Sequence, residues 1–265
     1  MTRLQQLFER KKEYILNIYF TAGYPELEDT KAIFLALEKA GVDIIEVGMP
    51  YSDPLADGLT IQQSGQVALE NGMTLSKLFD QLKSIRENSD LPMVLMGYFN
   101  QVMQYGEEAF LKKCSEIGVD ALILPDLPLE IYASDYKILF EKYQLDIVFL
   151  ITPQTSEERI RKIDALSTGF IYMVSSSSIT GAKAGISQNQ IDYFKRIEGM
   201  DLKNPRLIGF GISNYETFTT ACQYANGAII GSAFIKALSD GGNIQTTCSD
   251  FVKNILHSKF SLGLL

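Results

Sequence analysis

The chain has 265 residues, 46% of them hydrophobic and 21% charged, with a net charge of -8 at neutral pH. That balance suits a globular protein with a sizeable core and argues against nucleic acid as the main partner, because phosphate backbones want a basic face. Three scattered cysteines, Cys114, Cys222 and Cys248, do not suit a disulfide framework or a paired-thiolate zinc site, and no apolar run reaches bilayer-spanning length.

The opening "MTRLQQLFERKK" reads as an amphipathic helix ahead of the first strand. It has no apolar segment of secretory type, so a cytoplasmic location is expected. Eight β-rich apolar runs follow: "YILNIYF" (14–20), "DIIEVGM" (43–49), "PMVLMGY" (92–98), "ALILPD" (121–126), "DIVFLIT" (146–152), "FIYMVSS" (170–176), "RLIGFG" (206–211) and "GAIIG" (227–231). Between them lie segments of helical period, such as "EDTKAIFLALEKAG", where Ile33, Phe34, Ala36, Leu37 and Ala40 share one face. Gly41 and Gly118 fall where helices should stop.

Strands that are apolar almost throughout are covered on both faces, as in a parallel sheet. Eight strand–helix units predict an α/β fold, a single-domain (β/α)8 TIM barrel over 1–265, with the extra N-terminal helix plugging its bottom. A doubly wound sheet is the competitor, but it more often stops at five or six strands. No linker, charge block or low-complexity tract divides the chain.

Barrel chemistry comes from strand C-termini and the loops after them. Glu46 interrupts the second run, and alternation gives it the orientation of Ile44 and Gly48. A buried lone carboxyl is costly unless paired or used, and burial favours its protonated form. A salt-bridged structural Glu is the alternative. Asp57 closes the turn "YSDPLADG", where an Asx-turn or a helix cap is its plainer role. One acid on a strand and another on the loop above it say more together than either alone.

Glycine-containing turns after the sixth, seventh and eighth strands, "SSSSITGAKAG", "GFGIS" and "GSAFIKAL", suit a phosphate, with Ser232 opening a short extra helix. The stretch 175–188 has the composition of a lid, or of a plain surface loop. Tyr19, Tyr98, Tyr172 and Phe210 punctuate strand ends, as core or as the walls of a flat apolar pocket. His257, the only histidine, lies in the C-terminal segment, which leaves zinc or Ser-His-Asp chemistry nothing to use. No lysine lies in the strand runs, which disfavours a Schiff-base aldolase; Lys183 and Lys236 sit on loop or helix positions. No P-loop motif occurs.

The segments "FTAGYP", "DIIEVGMPYSDPLADG", "TIQ", "ITGA", "GFGIS" and "GSAFIK" resemble, in order and spacing, the tryptophan synthase alpha chain family, from about Leu4 to about Leu256. The resemblance implies a barrel lyase that cleaves indole-3-glycerol phosphate to indole and glyceraldehyde 3-phosphate by acid–base retro-aldol chemistry, late in tryptophan biosynthesis, without metal or organic cofactor. It implies that Glu46 and Asp57 are the catalytic carboxylates; with burial raising the Glu46 pKa, an ordinary Asp57 would complete a split of acid and electrostatic roles. Gly181, Gly211, Gly231 and Ser232 match the phosphate turns, and Tyr19, Tyr98, Leu150, Tyr172 and Phe210 the indole pocket.

The partner so implied is a pyridoxal-phosphate beta chain in an alpha–beta–beta–alpha assembly, met through the regions of Asp53, Asn100 and Pro128. The lid departs from the family's "SRSGVTG", with Ser176 and Ser178 in "SSSSITG", and Leu59 stands where proline is frequent. Two other readings are a phosphate-binding isomerase or epimerase barrel, and a barrel kept only as a non-catalytic allosteric partner.

Overall fold

In the computed structural model, which describes residues 1–175, 186–209 and 211–257, each apolar run contains a strand. These are β1 (Ile15–Thr21), β2 (Ile44–Gly48), β3 (Met93–Met96), β4 (Ala121–Ile123), β5 (Asp146–Ile151), β6 (Ile171–Val174), β7 (Arg206–Gly209) and β8 (Gly227–Ile230). They pair in parallel in sequence order, and β8 returns to β1, so the sheet closes into a (β/α)8 barrel. Several strands are shorter than their runs. β4 ends at Ile123, ahead of Pro125, which has no N–H to offer a ladder.

Alternation sorts the strand side chains into two clusters. Ile15, Ile44, Val94, Ala121, Ile123, Val148, Leu207 and Ile229 pack together inside the barrel. Their neighbours Leu16, Ile18, Ile45, Val47, Leu95 and Leu122 join the larger layer between sheet and helices. Gly41 and Gly118 end their helices with φ of 95° and 80°, as left-handed caps. Two helices, Leu59–Glu70 and Leu75–Arg86, fill the β2–β3 connection where the simple repeat needs one.

The helix Arg3–Arg10 plugs the barrel. Its Leu4, Leu7 and Phe8 belong to the interior cluster, and Phe8 packs on Phe170 with ring centroids 6.0 Å apart. Burying each such side chain is worth roughly 1.5–3 kcal/mol. Polar ties set the plug's position. Asp146 accepts from the Thr2 hydroxyl at 2.5 Å and from Gln5 Nε2 at 2.7 Å. Asp120, 2% exposed, accepts from the Arg3 and Met93 backbone N–H groups and from the guanidinium groups of Arg3 and Arg86.

Asp120→Ala would leave the largely buried Arg86 guanidinium without its carboxylate. Removing one partner of a buried pair costs about 3–5 kcal/mol. Denaturant unfolding should show a loss of that order, with the N-terminal helix becoming more open to proteolysis than the barrel; a change below about 1 kcal/mol would mean that the tie is unimportant.

Candidate active site

Glu46 points into the barrel. It sits in β2 between Tyr19 of β1 and Val94 of β3 in register, with 1% of its surface exposed. Asn17 Nδ2 donates to its Oε2 at 3.1 Å. Burial pushes its pKa up to about 8; the Asn17 hydrogen bond opposes the rise and the negative charge of Asp57 adds to it. A carboxyl in this state carries its proton at neutral pH.

Asp57 lies on the loop between β2 and the helix Leu59–Glu70, whose N-cap is Gly58. Its side chain caps nothing; Tyr98 Oη donates to Oδ2 at 3.0 Å instead. The same Tyr98 hydroxyl accepts the Ala56 backbone N–H at 2.9 Å, so one phenol fixes both the loop and its carboxylate. Tyr51 stacks on Tyr98 with centroids 5.0 Å apart, and Asn100 Nδ2 donates to the Tyr51 hydroxyl at 2.8 Å. The expectation of an ordinary Asp57 needs correcting. Desolvation raises its pKa to about 6, partly offset by the bond from Tyr98. It remains mainly ionised at pH 7, but with less margin than a solvated aspartate.

Tyr19 and Tyr172 are buried on the interior and feel the charges of both carboxylates. Each ring lies over a glycine: a β-carbon at Gly48 would overlap the Tyr19 hydroxyl, and one at Gly209 the Tyr172 ring. Leu150 is half-buried at the same end of β5. A chain of hydroxyls orients Tyr19. Ser64 Oγ donates to the Ile61 carbonyl at 2.8 Å, so it must accept from Thr21, and Thr21 in turn from Tyr19. The Tyr19 oxygen is thereby left with only acceptor capacity.

Gly211 follows β7 with φ of 79°, and Gly231 follows β8 as the N-cap of the helix Ser232–Ser239, which Ser232 opens as expected. The N–H groups of Ser232 and Ala233 have no backbone acceptor among the described residues, so they are available to an anion. Gly181 and Phe210, together with Ser176, Ser178 and most of the expected lid, lie outside the described residues. A groove of about 620 Å³ on the outer wall, lined by Leu35, Lys39 and Ile244 among others, contains neither carboxylate.

Two features escaped sequence reasoning. Asn17 has the same strand phase as Ile15 and Tyr19, a legible signal of an inward polar side chain beside Glu46. The Tyr98–Asp57 bond joins loops 41 residues apart, and no local pattern marks it.

The sequence profile of the tryptophan synthase alpha chain matches residues 4–259. The chain belongs to the tryptophan synthase alpha chain family. The Flavobacterium johnsoniae tryptophan synthase alpha chain is 61% identical over 243 residues, 92% of this chain and 96% of that one. Its Flavobacterium psychrophilum counterpart is 59% identical over 255 residues, covering 96% of this chain and 100% of that one. Among solved structures, tryptophan synthase from Mycobacterium tuberculosis in its aminoacrylate-bound form superposes with a TM-score of 0.84 at 29% identity, covering 97% and 98% of the two chains. The tryptophan synthase complex of Pyrococcus furiosus gives 0.85 at 34% identity, covering 93% and 99%. As a member of the tryptophan synthase alpha chain family, this lyase cleaves indole-3-glycerol phosphate in tryptophan biosynthesis. The matches favour that reading over an isomerase, an epimerase or a non-catalytic barrel.

Proposed function

We propose that Glu46 and Asp57 divide the cleavage between them, and that the observation carrying this is their unequal environment inside one barrel mouth. Glu46, protonated near neutral pH, hands its proton to indole C3. The ring nitrogen then takes on iminium character and becomes the electron sink. Asp57, ionised, accepts a hydrogen bond from the ring N–H and stabilises that positive charge. The hydroxyl on the adjacent glycerol carbon loses its proton to the now basic Glu46 as the bond from that carbon to C3 breaks. The carbon becomes the aldehyde of glyceraldehyde 3-phosphate, and the bonding pair restores the aromatic ring. One proton goes on at C3 and one comes off the hydroxyl, so Glu46 ends as it began. Carboxylates pushed to different acidities are a recurring way to separate proton transfer from charge stabilisation.

Gly181, Gly211, Gly231 and Ser232 would hold the phosphate, helped by the free N–H groups that open the helix Ser232–Ser239. Tyr19, Tyr98, Leu150, Tyr172 and Phe210 would enclose the indole, with the acceptor face of Tyr19 limiting which edge it tolerates. These groups supply both the proton and the charge, so this reading needs no cofactor on the chain. Pyridoxal phosphate is expected only on a beta chain in an alpha–beta–beta–alpha assembly. The mouth offers such a partner exposed apolar surface: Leu55 is 90% and Leu59 68% exposed next to Asp53, and Ile131, in the helical turn that Pro128 caps, is 42% exposed. A cytoplasmic location is the expectation for this biosynthetic role; separately, among the described residues no helix is long and apolar enough to cross a membrane.

The direct test is to mix the protein with indole-3-glycerol phosphate, with and without a tryptophan synthase beta chain, and to measure indole. Release of indole by the chain alone, accelerated by the beta chain, is expected; epimer formation without indole would overturn the reading. A finer check is Tyr98→Phe. Losing its hydrogen bond raises the Asp57 pKa above about 6, so the acidic limb of kcat/KM should move toward neutral pH while the basic limb stays in place. An unmoved acidic limb would assign that limb to another group.

A further inference from the structure

We propose that Asn17 is a positioning residue for the cleavage: its buried amide holds one carboxyl oxygen of Glu46 and so turns the other toward the substrate. The inference rests on the proposed role of Glu46 and deepens it.

Asn17 occupies an improbable place for an amide. It has no exposed surface, and in register it lies beside Ile44 on one strand and Ile229 on the other, both in the apolar interior cluster. Its one side-chain hydrogen bond among the described residues runs from Nδ2 to Glu46 Oε2 at 3.1 Å, and its Oδ1 is buried with no partner. An amide that served only to fill the floor would be better replaced by Leu, which has similar volume and no stranded acceptor. What Asn17 gains for its orphaned oxygen is contact with the one carboxyl on that floor.

The chemistry needs that contact. Glu46 gives up a proton and takes one back, so both its neutral and its charged form must be held in place. From the neighbouring elements it faces Tyr19 on β1, Asp57 on the loop after β2 and Tyr172 on β6, with Tyr98 behind Asp57; none is a cation, and Asp57 opposes the charged form. Asn17 supplies the N–H that favours the carboxylate formed when the proton leaves. A half-turn of the same amide offers Oδ1 to the neutral carboxylic acid. No apolar side chain could serve either state, and with Oε2 engaged, Oε1 is the oxygen left to work.

The test is Asn17→Leu, assayed for indole release across the pH range. Removing a hydrogen bond to a charged group should move the basic limb of kcat/KM up by about one pH unit, since such bonds are worth roughly one to two pK units. We expect kcat at pH 7 to fall about tenfold with KM changed less than about twofold, because a misaimed carboxyl harms the chemical step more than phosphate binding. Asn17→Val, smaller, apolar and suited to a strand, serves in the same assay should the Leu variant fail to fold. A basic limb and kcat that match the parent would overturn the proposal, even if Tm fell, because Asn17 would then be structural. Glu46→Gln, run alongside, separates the two ideas. Should it turn over like the parent, the role of Glu46 itself has failed; should it be inactive beside a parent-like Asn17→Leu, only the role of Asn17 has.

Discussion

Glu46→Gln is expected to reduce indole release by at least about 10²–10⁴-fold, the range attributed to a positioned general acid–base. The substitution keeps the shape of the side chain, and the Gln amide can still meet Asn17, so the barrel floor should not rearrange. KM should stay within a few-fold, because the turns after β7 and β8 that are proposed to hold the phosphate are untouched. Stability supplies an independent reading. The Glu46 carboxyl has a folded-state pKa of about 8, raised above its value of 4.5 in an unfolded chain. The folded state therefore binds the proton more tightly, and the stability this contributes is fully present below pH 4.5 and is lost as pH rises through 8. Gln does not titrate. The variant should thus be more stable than the parent by a few kcal/mol, on the order set by that linkage, at pH 9. Calorimetry at pH 6 and pH 9 checks it: a stability difference that does not widen with pH would mean that Glu46 is already solvated and ionised at neutral pH.

The barrel was legible because its signal is repeated. Eight apolar runs separated by helical periods leave few other closures, and Gly41, Gly118 and the helix start at Ser232 sit where backbone physics alone puts them. Glu46 was legible for a related reason, since a lone carboxylate in an apolar strand has few cheap explanations. The paired helices Leu59–Glu70 and Leu75–Arg86 stood apart from the simple repeat because nothing in a one-helix-per-strand rule asks for a second. The environment of Asp57 was hidden for a stronger reason. Its acidity depends on burial of a loop and on a phenol 41 residues away, and both exist only after the barrel has closed. Even so, Asn17 shows that phase can expose a second polar residue when every inward position of a strand is read.

Asp57→Asn should lower kcat by about 10²–10³-fold, the typical loss when a charge placed to stabilise a transition state is removed. The amide can still accept from Tyr98, so the loop and the Ala56 contact should survive. The pH profile distinguishes this role from a structural one, because two changes in opposite parts of it are required together. The acidic limb expected of the parent near pH 6, where the proposed role has Asp57 gain its proton, should disappear, since Asn does not titrate. The basic limb near pH 8 should move down, because the Asp57 charge is one of the causes that raise Glu46. If the variant instead loses substrate binding while both limbs stay where the parent has them, Asp57 shapes the loop and the positive charge on the ring is met by some other group. Should the acidic limb vanish while the basic limb holds, Asp57 titrates in the site but does not sense Glu46, and the two carboxylates act independently.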